Sequence, residues 1–169
     1  MMKQTLMLLS AAVIAIMVLV IPGSVNGTVL IPKDLEDLVI ESSDIVFGKV
    51  VAMSTNWNKE NTRIYTTIVL EVERGIKGDF ETGEKIRFQT IGGTVGEISL
   101  RVPGSPEFHT DEMTVVFFGG EPNINTPVTG WEQGKYTVVN GIVLENGRYL
   151  DDFIGEIEEM MDRIESQEL

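Results

Sequence analysis

From Ile64 to Val72 (IYTTIVLEV) the side chains alternate with a period of two, which leaves the chain little choice of local structure. Thr66, Ile68, Leu70 and Val72 fall on one side, and Tyr65, Thr67, Val69 and Glu71 on the other. That period matches a strand and no helix. The same signature recurs. Ile45 to Met53 is β-branched and apolar, with Gly48 inside it marking a bulge or a close approach. Glu84 to Ile91 alternates, and Ile98, Leu100 and Val102 form one face of a further strand. Met113 to Phe118 (MTVVFF) reads as a further buried strand, closed by Gly119-Gly120. Lys135 to Val139 and Ile142 to Leu144 flank Asn140-Gly141, a strong hairpin dipeptide.

The intervening segments read as turns and loops: Ser54 to Thr62, the Gly75, Gly78 and Gly83 region, Gly92 to Gly96, and Glu121 to Gly130. Two helices frame the strands. Asp34 is placed to cap a short helix with Leu35, Leu38 and Val39 on one face. From Leu150 to Ile164, Phe153, Ile154, Ile157, Met161 and Ile164 make an apolar stripe, with Asp151 and Asp152 at the favourable end of the dipole. The expected architecture is a mainly β barrel with a short N-terminal helix and a C-terminal amphipathic helix; a β-sandwich is the alternative.

Residues 1–27 read as a secretory signal peptide. Lys3 precedes the apolar run from Leu6 to Ile21, Pro22-Gly23-Ser24 breaks it, and cleavage is expected before Thr28. Retention of that run as an uncleaved membrane anchor is the alternative, although it falls just short of a typical span. Residues 28–169 then form a single domain, large enough to bury a core without disulfides. The chain has no cysteine. The formal net charge is −13, and loss of Lys3 makes the mature part more acidic still. Such a surface repels phosphate backbones, so nucleic acid is excluded as a partner.

The order of segments resembles a group of exported bacterial and archaeal domains without assigned function. The resemblance is carried by Leu35-Glu36-Asp37-Leu38, by Ser43-Asp44-Ile45-Val46-Phe47-Gly48-Lys49-Val50 and by Val72 to Gly78. It continues through Gly92-Gly93, Gly96, Leu100 to Phe108, Met113 to Phe118, Gly130 to Tyr136 and Leu150 to Ile154. More distantly the chain is similar to the netrin-like domains, which include the tissue inhibitors of metalloproteinases. That resemblance implies a barrel of the oligonucleotide/oligosaccharide-binding type. Those inhibitors reach a protease metal through an N-terminal cysteine, for which this chain has no counterpart.

Residues that could carry chemistry are few. His109 is the sole histidine, too little for a histidine zinc site. Ser105, His109 and Asp111 are close in sequence, as are Glu107 and Asp111, but closeness in a loop does not make a triad or an acid–base pair. Gly92 to Gly96 lacks the spacing of a phosphate loop. No cofactor is expected. Ca2+ is the ion the carboxylates would admit, yet no Asp-x-Asp-x-Asp-Gly loop is present. Contact with a partner is assigned to Trp57, Trp131, Tyr136 and Glu107, together with residues 92–108, because aromatics on loops bury much area at low entropic cost. These points lead to an exported, non-catalytic interaction module whose partner is a protein or cell-envelope component. A secreted hydrolase-associated or protease-inhibitor-like domain is the alternative.

Overall fold

The structure is a computed structural model, and it describes residues 31–119 and 127–167. The segment expected to be a signal peptide or anchor, and most of the loop expected over 121–130, lie outside the described residues. The fold is mainly β, with a short helix before the strands and a longer one after them. Among the described residues no helix is long and apolar enough to cross a membrane.

Helix α1 (Leu35–Glu41) starts where Asp34 dictates. The Asp37 amide donates to Asp34 Oδ1 at 2.9 Å and the Asp34 amide to Asp37 Oδ2 at 3.4 Å, a reciprocal cap that satisfies end donors. Leu38 and Val39 are its buried residues. Strands β1 (Asp44–Trp57) and β2 (Ile64–Lys77) form a long antiparallel hairpin. Residues 54–57 thus belong to β1, where a loop was expected. The turn is confined to 58–63, where Asn58 Oδ1 accepts from the amides of Thr62 and Arg63 at 2.8 and 3.0 Å. Gly48 lies at a register shift, and a Cβ there would come within 2.4 Å of the Glu71 carbonyl oxygen, so both expected reasons for a glycine hold.

The chain continues through β3 (Lys85–Ile91), β4 (Gly93–Val95), β5 (Ile98–Leu100) and β6 (Met113–Phe118). A 3-10 turn (Trp131–Gly134), β7 (Lys135–Val139), β8 (Ile142–Val143) and helix α2 (Leu150–Gln167) complete it. Asn140 and Gly141 both have positive φ, 52° and 76°, as the primed two-residue hairpin requires.

Six strands pair in the order β3-β2-β1-β6-β7-β8, and β4-β5 form a separate ribbon. The order β6-β1-β2-β3 is a Greek key: three consecutive strands, and a fourth returning to lie beside the first. The sheet does not close. Its edges are β3 and β8, so the closed barrel expected from the sequence is corrected to an open, curled sheet; a sandwich of two full sheets is not formed either.

The curl is strong. β3 and β6 are three strand intervals apart, about 14 Å in a flat sheet. Yet Phe88 on β3 and Phe118 on β6 meet edge-to-face with ring centroids 5.1 Å apart. Each face of the sheet therefore buries its own core. The convex side carries Ile45, Val115 and Phe117 under α1 and α2, which supply Leu38, Val39, Phe153, Ile154 and Ile157. The concave side holds Val46, Val50, Ile68, Leu70, Phe88, Val116 and Phe118. Successive residues of β1 and β6 feed opposite cores, as with Ile45 and Val46 or Val115 and Val116, which is why apolar residues follow one another there instead of alternating.

Candidate functional site

Where the sheet fails to close, residues 101–109 fill the seam. They contain Pro103 and Pro106, which have no amide hydrogen, and Gly104 with φ 81°, so the segment cannot serve as a ladder strand. It is held by side chains and single bonds instead. Ser105 Oγ donates to the Ile91 carbonyl at 2.7 Å. Phe108 packs edge-to-face on Phe88, centroids 5.3 Å apart. On the far side, the Glu132 amide donates to the Gly104 carbonyl at 2.9 Å.

A buried ion cluster clamps this segment to β7. The Glu112 and Lys135 side chains retain only 6% and 11% of their exposure and are paired directly. Thr137 Oγ1 donates to Glu112 Oε1 at 3.0 Å and accepts from Lys135 Nζ at 2.9 Å. The His109 amide donates to Glu112 Oε2 at 2.8 Å, and Lys135 Nζ stands 5.4 Å from the centre of the Phe108 ring. Every strong partner that a buried carboxylate and ammonium need is thus supplied within the cluster. No sequence signal singled out this pair: one carboxylate among 26 acidic residues is inconspicuous, and its partner lies on another strand.

Between the end of β3, the β4–β5 ribbon and the seam lies a cleft of about 360 Å³. Its wall is rich in hydroxyls, from Thr55, Thr66, Thr90, Thr94, Ser99 and Ser105. Met53 and Phe108 add apolar surface, and Arg101, Glu107 and His109 add charge and an imidazole. The glycines at its edge are required by space. Gly93 has φ 124°, and a Cβ there would lie 2.4 Å from Thr66 Oγ1 and 2.6 Å from Thr55 Cγ2. Thr66 Oγ1 also donates to the Gly92 carbonyl at 2.8 Å, fixing the corner where the chain leaves β3. The turn or bulge expected over Gly92 to Gly96 is this corner followed by the ribbon.

The cleft unites part of what the sequence marked. Glu107, paired with Arg101 at 3.3 Å, lines it with much of the 92–108 segment. Tyr136 does not. It packs between Phe117 and Phe153, centroids 5.6 and 4.8 Å away, and borders a second cleft of about 480 Å³ with Lys33, Glu145 and Arg148. Burial, and then the charge of Glu145, push its phenol above the usual tyrosine range. Trp57 closes β1 opposite Ile64, and Trp131, 39% exposed, opens the 3-10 turn. Neither lines either cleft.

Ser105, His109 and Asp111 are not assembled as a triad. The Ser105 hydroxyl is committed to Ile91, Asp111 pairs with Lys49 at 2.7 Å, and His109 Nδ1 lies 3.7 Å from Glu112. Asp111 also draws the Lys49 ammonium above its ordinary range, first by a hydrogen bond and then by charge. Among the described residues no three His, Asp or Glu side chains converge to hold a metal ion. Comparison with protein-family models, curated proteins and solved structures gives no match. The site is therefore read from its chemistry: hydroxyl and backbone groups for hydrogen bonding, an apolar floor, and one charge of each sign at the rim.

Proposed function

We propose that this chain is an exported, non-catalytic binding module of the cell envelope or extracellular space, and that it holds a protein or envelope component in the hydroxyl-lined cleft. The observation that carries this reading is the cleft's composition. Six hydroxyl side chains and an apolar floor meet at one concave site, with Ser105 tied down by a backbone carbonyl. Concave sites with a few placed polar groups are where ligands are taken. The Greek-key order and the curl are features that the proposed netrin-like resemblance would share, although the sheet does not close into a barrel. The net charge of −13 favours a partner that is neutral or basic overall, or one that meets a local basic stretch of this chain.

The test is affinity capture from envelope extracts using the full chain. Ser99→Trp places a bulky ring in the cleft from an exposed ribbon position and should abolish capture. If capture survives Ser99→Trp but is lost in a Trp57→Ala, Trp131→Ala double variant, the contact surface is the exposed aromatics and the cleft assignment fails. A secreted protein whose mass begins at Thr28 would establish export with cleavage.

A further inference from the structure

We propose that the open edge of β3 is a strand-addition site for an extended peptide that alternates carboxylate and apolar side chains. This rests on the reading of the chain as a binding module and specifies its ligand.

The direction of the β2–β3 ladder establishes what the edge offers. At one end the Val72 amide donates to the Glu84 carbonyl, and at the other the Gly92 amide donates to the Ile64 carbonyl, both at 2.8 Å. The pairing between them runs without a register shift. Even-numbered β3 residues therefore spend their amides and carbonyls on β2, and the odd-numbered ones point theirs away. Ser105 Oγ, reaching the Ile91 carbonyl from outside at 2.7 Å, agrees with that assignment. Among the described residues the outward backbone groups of Lys85, Arg87 and Gln89 have no partner. The opposite edge offers no such row. β8 is two residues long, and the chain folds back over it, the Val143 amide donating to the Arg148 carbonyl at 2.8 Å.

The side chains choose the occupant. Lys85, Arg87 and Gln89 are exposed on the convex face, and the strand KIRFQTI contains no carboxylate in a chain of net charge −13. Lys85 has Glu71 at 3.4 Å, whereas Arg87 has no ion pair among the described residues. On the concave face Phe88 is buried and Ile86 half-buried against the core. A strand laid beside β3 would set alternate side chains against Arg87 and against Ile86, so one set should be acidic and the other apolar. A second copy of this chain is the wrong occupant. Antiparallel self-pairing about Arg87 would oppose Arg87 to itself, the kind of edge charge that keeps copies apart. At the Ile91 end the open row stops, because Ser105 already occupies that outward carbonyl beside the hydroxyl-lined cleft.

The experiment measures fluorescence anisotropy of a labelled peptide of roughly 8 residues alternating Glu and Val, a typical strand length, titrated with the full chain. Saturable binding is expected. A peptide of the same composition with its Glu and Val residues in blocks should not bind. Methylation of the alternate peptide nitrogens that face β3 should abolish binding, which tests the backbone pairing without altering the protein. Arg87→Glu should weaken binding at least about tenfold. Gln89→Pro removes one outward amide and no ladder bond, and should weaken binding too. Equal binding of the alternating and block peptides, indifference to N-methylation and to Arg87→Glu, or no binding at all would overturn the proposal. Self-association of the chain that Arg87→Glu abolishes would overturn it as well. The two readings fail separately: if Ser99→Trp abolishes capture while the peptide does not bind, the cleft stands and the edge assignment is lost.

Discussion

The two flanks of the sheet are covered by unlike means. Beside β6, β7 and β8, helix α2 lays a regular apolar stripe over Phe117 and Tyr136. Beside β3, an irregular, proline-bearing segment fills the seam with one buried ring, Phe108, and is clamped by the Glu112–Lys135 cluster. On the first flank the cover derives its hold from apolar area, which is non-directional and tolerant of detail. On the second it rests on a few directional bonds, and among the described residues it is there that the surface leaves a hydroxyl-lined cleft and an unpaired strand edge. A site needs polar groups that are held in place yet not used up by a ladder, and the seam provides that condition.

The two flanks should respond differently when what holds each is removed. Phe117→Ala takes a fully buried ring from the helix-covered side and should destabilise the fold by about 3–5 kcal/mol. Urea unfolding should show this as a lowered midpoint, and a cost below about 1 kcal/mol would mean that the helix contributes little cover. On the seam, Glu112→Gln leaves Lys135 buried without its counter-charge and should cost about 3 kcal/mol. Replacing both charges, Glu112→Leu with Lys135→Met, should recover most of that stability, because an apolar pair of similar volume commonly equals a buried ion pair. If the double variant is no better than Glu112→Gln, the seam depends on the directional bonds themselves and not on filled volume.

The smallest effect appears only in alkali. Because Tyr136 has its phenol raised in the folded state, chiefly by burial, its contribution is fully present below the unfolded tyrosine value of about 10. It is lost as the pH rises through the folded value. Urea midpoints compared at about pH 8 and about pH 11 should therefore fall less in Tyr136→Phe than in the parent chain. An identical fall in both would show that the phenol is not held against ionisation by the core beneath α2.

Much of this was legible from local pattern. MTVVFF announced a buried strand, Asn140-Gly141 announced the β7–β8 hairpin, and the stripe from Phe153 to Ile164 announced α2. The last turn of β1 was not legible. Ser54, Thr55, Asn56 and Trp57 lack the apolar alternation of a core strand, because the hairpin tip extends beyond the concave core and exposes Ser54 and Asn56. The site was half legible. Glycines 92 and 93 and the prolines of 101–109 marked an irregular place, but not the six hydroxyls that meet there, since Thr55, Thr66, Thr90 and Ser105 come from separate segments.

Local pattern located most of the strands, hairpins and helices, because periodicity, turn residues and caps act over a few neighbouring positions; residues 54–57 and β4 were the exceptions. Composition excluded cysteine-based chemistry and made the surface acidic. Long-range packing settled the rest: that the sheet curls without closing, that Glu112 meets Lys135, and that β3 stands at the sheet's edge. Those outcomes depend on which distant segments the Greek-key return brings together, and local periodicity carries no information about long-range partners.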